Sequence, residues 1–375
     1  MMAADIDKRL SQLRARRDGS DRYALDSDAL SDYVAKLSGN VVQEGWEKRA
    51  TAANKNTSYA VGAMQSVGAT YTRVSIETAE RIGKQLMTRL AKESINVEFR
   101  LQGSVPLDVH IRRVSDVDLL TIDKDFLVFD PQGIVAMNGG YTSTPKNSLG
   151  VLQTLRKHIE VELPLAYPQA TVDTSGAKAV KIHGGSLPRV VDVVPAHWYD
   201  TVTYQSMKQE SDRGIYILDK KAGTSVTNFP FLHIKKISDR CNSVGGCLRK
   251  AIRLCKNVKA DAESEGTSIA LPSFDIAATM YHSDTAHLAV GMYFELAILV
   301  ETQRFLDVLA RNHEYAKTLS VPDESRKIFD INGKLGALNT LSIELDDLLR
   351  RVAAEHGFPG ASLDECRNAI RYLNG

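Results

Sequence analysis

A chain of 375 residues with 43% apolar and 25% charged side chains has enough material for one large two-lobed domain or two ordinary ones, with a globular composition. Its net charge of +1 excludes a bulk electrostatic attraction to duplex nucleic acid or an anionic membrane, so any polyanion must be held locally. The opening stretch MMAADIDKRLSQLRARRDGS lacks the apolar segment of a secretory signal, and the four cysteines form no CxxC pair. The most apolar run, Leu288 to Val300, is interrupted by Gly291 and Glu295 and reads as a buried helix. The expectation is a cytoplasmic, reduced protein without membrane spans.

In chain order, residues 1 to about 70 are polar and helical in parts, with no legible function. From Ser75, an expected N-cap, the apolar set Ile76, Ala79, Ile82, Leu86 and Leu90 has helical spacing and predicts a helix ending near Lys92. The period then changes. Ile95, Val97, Phe99 and Leu101 alternate with Asn96, Glu98, Arg100 and Gln102, which predicts a half-buried strand arriving at Gly103-Ser104. A second strand is expected at about Val117 to Ile122 and a third at RVVDVVPAHW, closed by Pro195. Between them lie turns at DPQG and MNGG and a helix around Leu149 to Val161. Beyond about residue 205 the patterns become mainly helical. The expected class is α+β, with a mixed-sheet lobe over residues 1–205 and a helical lobe over 206–375.

The chemistry begins with the aspartates. Strand geometry projects Asp116 and Asp118 to the same side, where their carboxylates repel one another unless a cation lies between them. Magnesium suits such a site, because it takes hard oxygen ligands and completes its octahedron with water and substrate phosphates. Asp192, flanked by Val190, Val191, Val193 and Val194, is a third candidate ligand. By itself an Asp-x-Asp strand also describes a solvated edge, and Gly-Ser alone an ordinary turn. Gly103 would allow close backbone approach to a phosphate, and the Ser104 hydroxyl could cradle its oxygens.

Together, the Gly-Ser turn, the Asp-hydrophobic-Asp strand and the later hydrophobic-Asp-hydrophobic strand resemble the nucleotidyltransferase superfamily that includes DNA polymerase beta. The string VDVVPA, Val191 to Ala196, resembles the third-carboxylate strand of the cGAS, oligoadenylate synthase and bacterial CD-NTase (DncV-like) branch. Further on, NSVGGCLRKAIRLCKNVKA carries Leu248, Ile252, Cys255 and Val258 on one helical face and Arg249, Arg253 and Lys256 on another, followed by LPSFDIAATM. The resemblance implies that Lys256 and Ser273 contact a donor triphosphate and that Phe274 stacks on its base. Taken alone, those basic residues also describe a wet helix face, Ser273 a helix cap, and Phe274 a core residue. Cys241, Cys247, Cys255 and Cys366 lack zinc-knuckle spacing, and His183 and His197, flanking the third strand, read as structural more than as pocket residues.

The resemblance covers most of residues 70 to 310 and implies two-metal nucleotidyl transfer with magnesium, manganese being a substitute. Asp116 and Asp118 would hold both ions, and Asp192 the one nearest the acceptor hydroxyl. ATP and GTP are the expected NTP substrates, joined into a cyclic di- or trinucleotide second messenger for bacterial antiphage defence. A downstream effector would sense the product, with room for an activating protein partner. The zinc insertion of animal cGAS is absent, which with the low charge argues against strong nucleic-acid binding. Other readings are a transferase acting on a tRNA 3′ end or a protein, and a silent nucleotide-binding protein.

Overall fold

The computed structural model describes residues 5–18, 44–49, 51–112 and 115–375. Helix α1 (Ile6–Asp18) and α2 (Lys55–Met64) precede the long α3 (Ala69–Leu90), which leads into β1 (Val97–Gln102). Strand β2 (Val117–Phe129), α4 (Ser148–Ala166), β3 (Thr171–Asp173), β4 (Val180–Gly184) and β5 (Leu187–Asp200) follow. The sheet order is β1-β2-β5-β4-β3; β2 and β5 run parallel, and each of the other neighbours along this path pairs antiparallel.

Alternation along the central strands decides what each face does. Val117, Leu119, Val191 and Val193 pack with Ala79, Ile82 and Leu86 of α3 and Leu155 and Ile159 of α4, so both helices cover one face. Leu120, Ile122, Val194 and Ala196 belong to a separate cluster on the other face. Asp118 and Asp192, one residue out of phase with the α3/α4 set, therefore emerge on the side away from those helices.

Three expectations need correction. Helix α3 begins at Ala69, and Ser75 is a buried interior residue whose hydroxyl donates to the Tyr71 carbonyl at 2.9 Å, so it caps nothing. Pro195 does not close β5, which continues to Asp200. On that edge the partner changes from β4, last paired at Val193, to β6, first paired at Ala196; Pro195, with no N–H to donate, falls in the gap. Finally, the chain after residue 205 is not at once helical. Strands β6 (Gly214–Asp219) and β7 (Thr224–Asn228) form a hairpin that extends the sheet through β5.

The helices after the hairpin are α5 (Pro230–Ser243), α6 (Cys247–Ser264), α7 (Ser273–Tyr281), α8 (Leu296–Arg311), α9 (Asn332–Glu355) and α10 (Leu363–Ile370). They share one apolar core with the N-terminal segments, through Leu10, Leu13, Trp46 and Tyr59. Ion pairs secure that junction: Arg16 forks onto buried Asp261 at 2.6 and 2.8 Å, and the Tyr59 hydroxyl donates to the same carboxylate at 2.6 Å. The N-terminal helices thus pack with the helical half and not on the sheet. The four cysteines are free and buried in that half. No helix among the described residues is long and apolar enough to cross a membrane.

Candidate active site

Strand β1 delivers the chain to Gly103, which has φ +76°, a region costly for any side chain with a Cβ. Space forbids one as well, since a Cβ there would lie 2.3 Å from Asp118 Oδ2. The missing side chain is what lets the Asp118 carboxylate lie against the turn. Ser104 follows and starts a compact loop whose Val105, Leu107 and Val109 are buried.

The basic face of α6 holds this loop. Arg249 Nε donates to the Leu107 carbonyl at 2.7 Å, Arg253 to that of Asp108, and Lys256 Nζ to that of Val109 at 2.8 Å. Arg253 also donates to the Met64 carbonyl at 2.8 Å, joining α2 to the same anchor. Three cations on one helix thus satisfy three successive carbonyls of the segment joining Ser104 to Asp116. Only Lys256 of the three reaches the pocket wall, and it also donates to Ser115 Oγ at 3.1 Å.

Across the parallel pair, Asp118 and Asp192 are direct Cα partners, and Asp116 sits one residue ahead of β2. Burial, then Asp192 and Asp116, push the Asp118 carboxyl up to about 7. Burial, opposed by Lys181 and reinforced by Asp116, also raises Asp192. Lys181 stands among them: its ammonium contacts Asp116 and lies 3.4 Å from Asp192 Oδ1. It comes from β4, where it is the Cα partner of Asp192. Burial brings the Lys256 ammonium down to about 7, against the pull of Asp118.

Among the described residues no group of three or more acidic, histidine or cysteine side chains is already gathered to hold a metal ion. The donor set nevertheless fits a hard divalent ion. The three carboxylates carry more negative charge than Lys181 offsets, and the buried Asp192 Oδ1 makes no hydrogen bond, the Lys181 ammonium standing 3.4 Å away. Magnesium needs only a few carboxylates when water and phosphate complete its shell.

All eight residues singled out from sequence line one cavity of about 770 Å³: Gly103, Ser104, Asp116, Asp118, Asp192, Lys256, Ser273 and Phe274. Ser273 is the first residue of α7, whose N-cap is Pro272, so it does not serve as the cap. Phe274 is 40% exposed; it stacks on the buried His233 ring at 4.2 Å, and the Arg326 guanidinium lies 5.4 Å from its centroid. His183 pairs with Thr171 at a sheet edge. His197 is buried against Ser148 Oγ at 2.7 Å and the Trp198 carbonyl at 3.0 Å. Neither lines the cavity.

Sequence reasoning missed Lys181, Asn228, His233, Asp323 and Arg326; the latter four line the cavity. Lys181 alternates with Val180 and Ile182 in a readable strand pattern, yet its partnership with Asp192 depends on register. Asn228 ends β7, in the hairpin that the sequence patterns did not announce, and His233, Asp323 and Arg326 join the site through the approach of the helical half.

The cavity thus sets a carboxylate cluster against a glycine-serine turn, with Lys256 on one wall and Phe274 on another. A Yersinia aleksiciae protein described as cyclic dinucleotide synthase CdnE is 46% identical over 315 residues, 84% of this chain and 78% of its own length. A c-di-GMP synthase from a Lachnospiraceae bacterium is 30% identical, over 64% of this chain and 73% of its own. Among solved structures, the STING-associated CdnE c-di-GMP synthase from Capnocytophaga granulosa aligns with a TM-score of 0.67 at 26% identity, over 92% of this chain and 97% of its own. No protein-family model matches the chain. The chain belongs to the CD-NTase family of nucleotidyltransferases, among the CdnE-type cyclic dinucleotide synthases.

Proposed function

We propose that this pocket joins two nucleoside triphosphates into a cyclic dinucleotide. The observation that carries the proposal is the register pairing of Asp118 with Asp192, with Asp116 beside them, directly against the Gly103 turn. In this reading Asp116 and Asp118 would hold two magnesium ions, with manganese as a substitute, and Asp192 would ligate the one nearest the acceptor hydroxyl. A bound metal would neutralise phosphate charge and acidify that hydroxyl.

The protein's own groups do the rest. Asp192 helps take the hydroxyl proton. The freed oxygen bonds to the α-phosphorus, and the bond from that phosphorus to the bridging oxygen breaks. Pyrophosphate departs with the electron pair, its charge met by Ser104 and the Lys256 ammonium. Ser273 also contacts the triphosphate, and Phe274 offers its exposed face to a base. The linear dinucleotide then turns within the pocket, and its free hydroxyl attacks its own remaining α-phosphorus, closing the ring and releasing a second pyrophosphate.

We place the enzyme in the cytoplasm, in bacterial antiphage defence, with ATP or GTP as substrate and an effector that senses the product. The STING association in the description of the Capnocytophaga relative supports such an effector. Pyrophosphate release from NTPs with magnesium tests the chemistry. It is expected from the wild type and lost in Asp192→Ala; equal release by a folded Asp192→Ala would overturn the assignment.

A further inference from the structure

Arg253 lies on α6 behind the segment that joins Ser104 to Asp116; it is 5% exposed and does not line the cavity. Its guanidinium nevertheless closes a short connection to the reacting groups. Nε donates to the carbonyl of Met64, the last residue of α2, at 2.8 Å, and Nη1 donates to the Asp108 carbonyl. One turn later on α6, Asn257 donates to the Ala63 carbonyl at 2.9 Å, so the end of α2 is itself pinned to the helix that carries Arg253. The planar fork is thereby fixed from behind, which aims its other arm at the loop.

The target of that arm is a tight turn. Asp108 has φ +53°, in the left-handed region that a residue with a Cβ occupies at a cost and keeps when its surroundings hold it there. The Asp108 N–H donates to the Val105 carbonyl at 3.0 Å, and the Val109 N–H donates to the Ser104 carbonyl at 3.0 Å. One carbonyl held by Arg253 and two backbone hydrogen bonds therefore set the position of Ser104. The far end of the segment has a separate support, since Lys256 donates to Ser115 Oγ beside Asp116.

We infer that Arg253 is a positioning residue for nucleotidyl transfer, acting through the Asp108 turn to hold the Ser104 hydroxyl against the triphosphate. The inference rests on the reading of this cavity as the nucleotide pocket. Without the guanidinium the Met64 and Asp108 carbonyls lose a donor, and the left-handed Asp108 loses the contact that offsets its cost. The turn then relaxes and carries Ser104 with it. A shift of about 1 Å at a group that meets the reacting phosphates costs roughly a hundredfold in rate.

A double-mutant cycle between Arg253→Lys and Ser104→Ala, on the full chain with magnesium, tests this. Lysine keeps the charge but lacks the fork that spans two carbonyls. Arg253→Lys alone should lower kcat for pyrophosphate release by about tenfold to a hundredfold, and weaken calorimetric binding of the α,β-methylene analogues of ATP and GTP by roughly threefold to tenfold. In the Ser104→Ala background the same change should cost less than about twofold in either measurement, because no hydroxyl remains to be misplaced. Asp108→Pro forbids a φ of +53° and removes the N–H while leaving α6 intact, so it should behave as Arg253→Lys does. It carries the cycle if circular dichroism shows Arg253→Lys to be unfolded. A loss of the same factor with and without the Ser104 hydroxyl, or unchanged kcat and analogue affinity, would overturn the positioning role while leaving the pocket reading intact. Folded wild-type protein that neither binds the analogues nor releases pyrophosphate would overturn both.

Discussion

Asp118 on β2 and Asp192 on β5 stand opposite one another as Cα partners in adjacent parallel strands, with their carboxylates on the sheet face away from α3 and α4. Two acids in that relation are costly to a folded chain at neutral pH. Asp118 shows the strain most clearly, since burial and its neighbours raise it from 3.8 to about 7. A carboxyl raised on folding is tolerated in acid, and its contribution to stability is lost as pH rises from 3.8 through about 7.

Asp118→Asn should therefore be more stable than the wild type at pH 8 without metal, by on the order of 2 kcal/mol. The same variant should lose the thermal shift that magnesium with an NTP gives the wild type. Thermal denaturation with and without both ligands measures the two effects.

Gly103→Ala tests the turn. Its methyl would fall 2.3 Å from Asp118 Oδ2 at a φ of +76°. We expect activity to fall by about 100-fold, from displacement of Asp118, with a stability loss of about 1–2 kcal/mol. Turnover measured beside urea denaturation separates the two.

Lys181 neutralises part of the carboxylate set from the neighbouring strand. Replacing it with methionine should lower the melting temperature without metal and tighten magnesium binding by roughly threefold to tenfold, because a competing cation is gone. Magnesium titration followed by calorimetry gives the sign directly.

Away from the site, burial lowers His197 from 6.5 to about 4. A histidine buried neutral takes up its proton more readily when unfolded, so its contribution to stability is present above 6.5 and is lost as pH falls toward about 4. The urea midpoint of the wild type should drop across that window. A folded His197→Gln variant should show a shallower drop.

How much of this was legible beforehand follows from range. The aspartates and the Gly103-Ser104 turn could be read because period-two alternation and a glycine are local signals, and all eight chosen residues line the cavity. Lys181 could not, since its partnership with Asp192 is a matter of strand register. Arg249 and Arg253 were visible as a basic helix face, but their partners are loop carbonyls about 145 residues earlier, at separations of 142 and 145. Asp323 and Arg326 carry no local pattern; a tertiary approach brings them to Phe274. Ser75 misled because a serine before an apolar run looks like a cap, although its hydroxyl had a carbonyl four residues back.

The most direct measurement is the mass of the phosphatase-resistant product formed when the protein is incubated with all four NTPs and magnesium. Cyclic dinucleotide from the wild type and none from folded Asp116→Ala is the result this account predicts. Label transferred instead to added RNA or protein, or an undiminished cyclic product from Asp116→Ala, would contradict it.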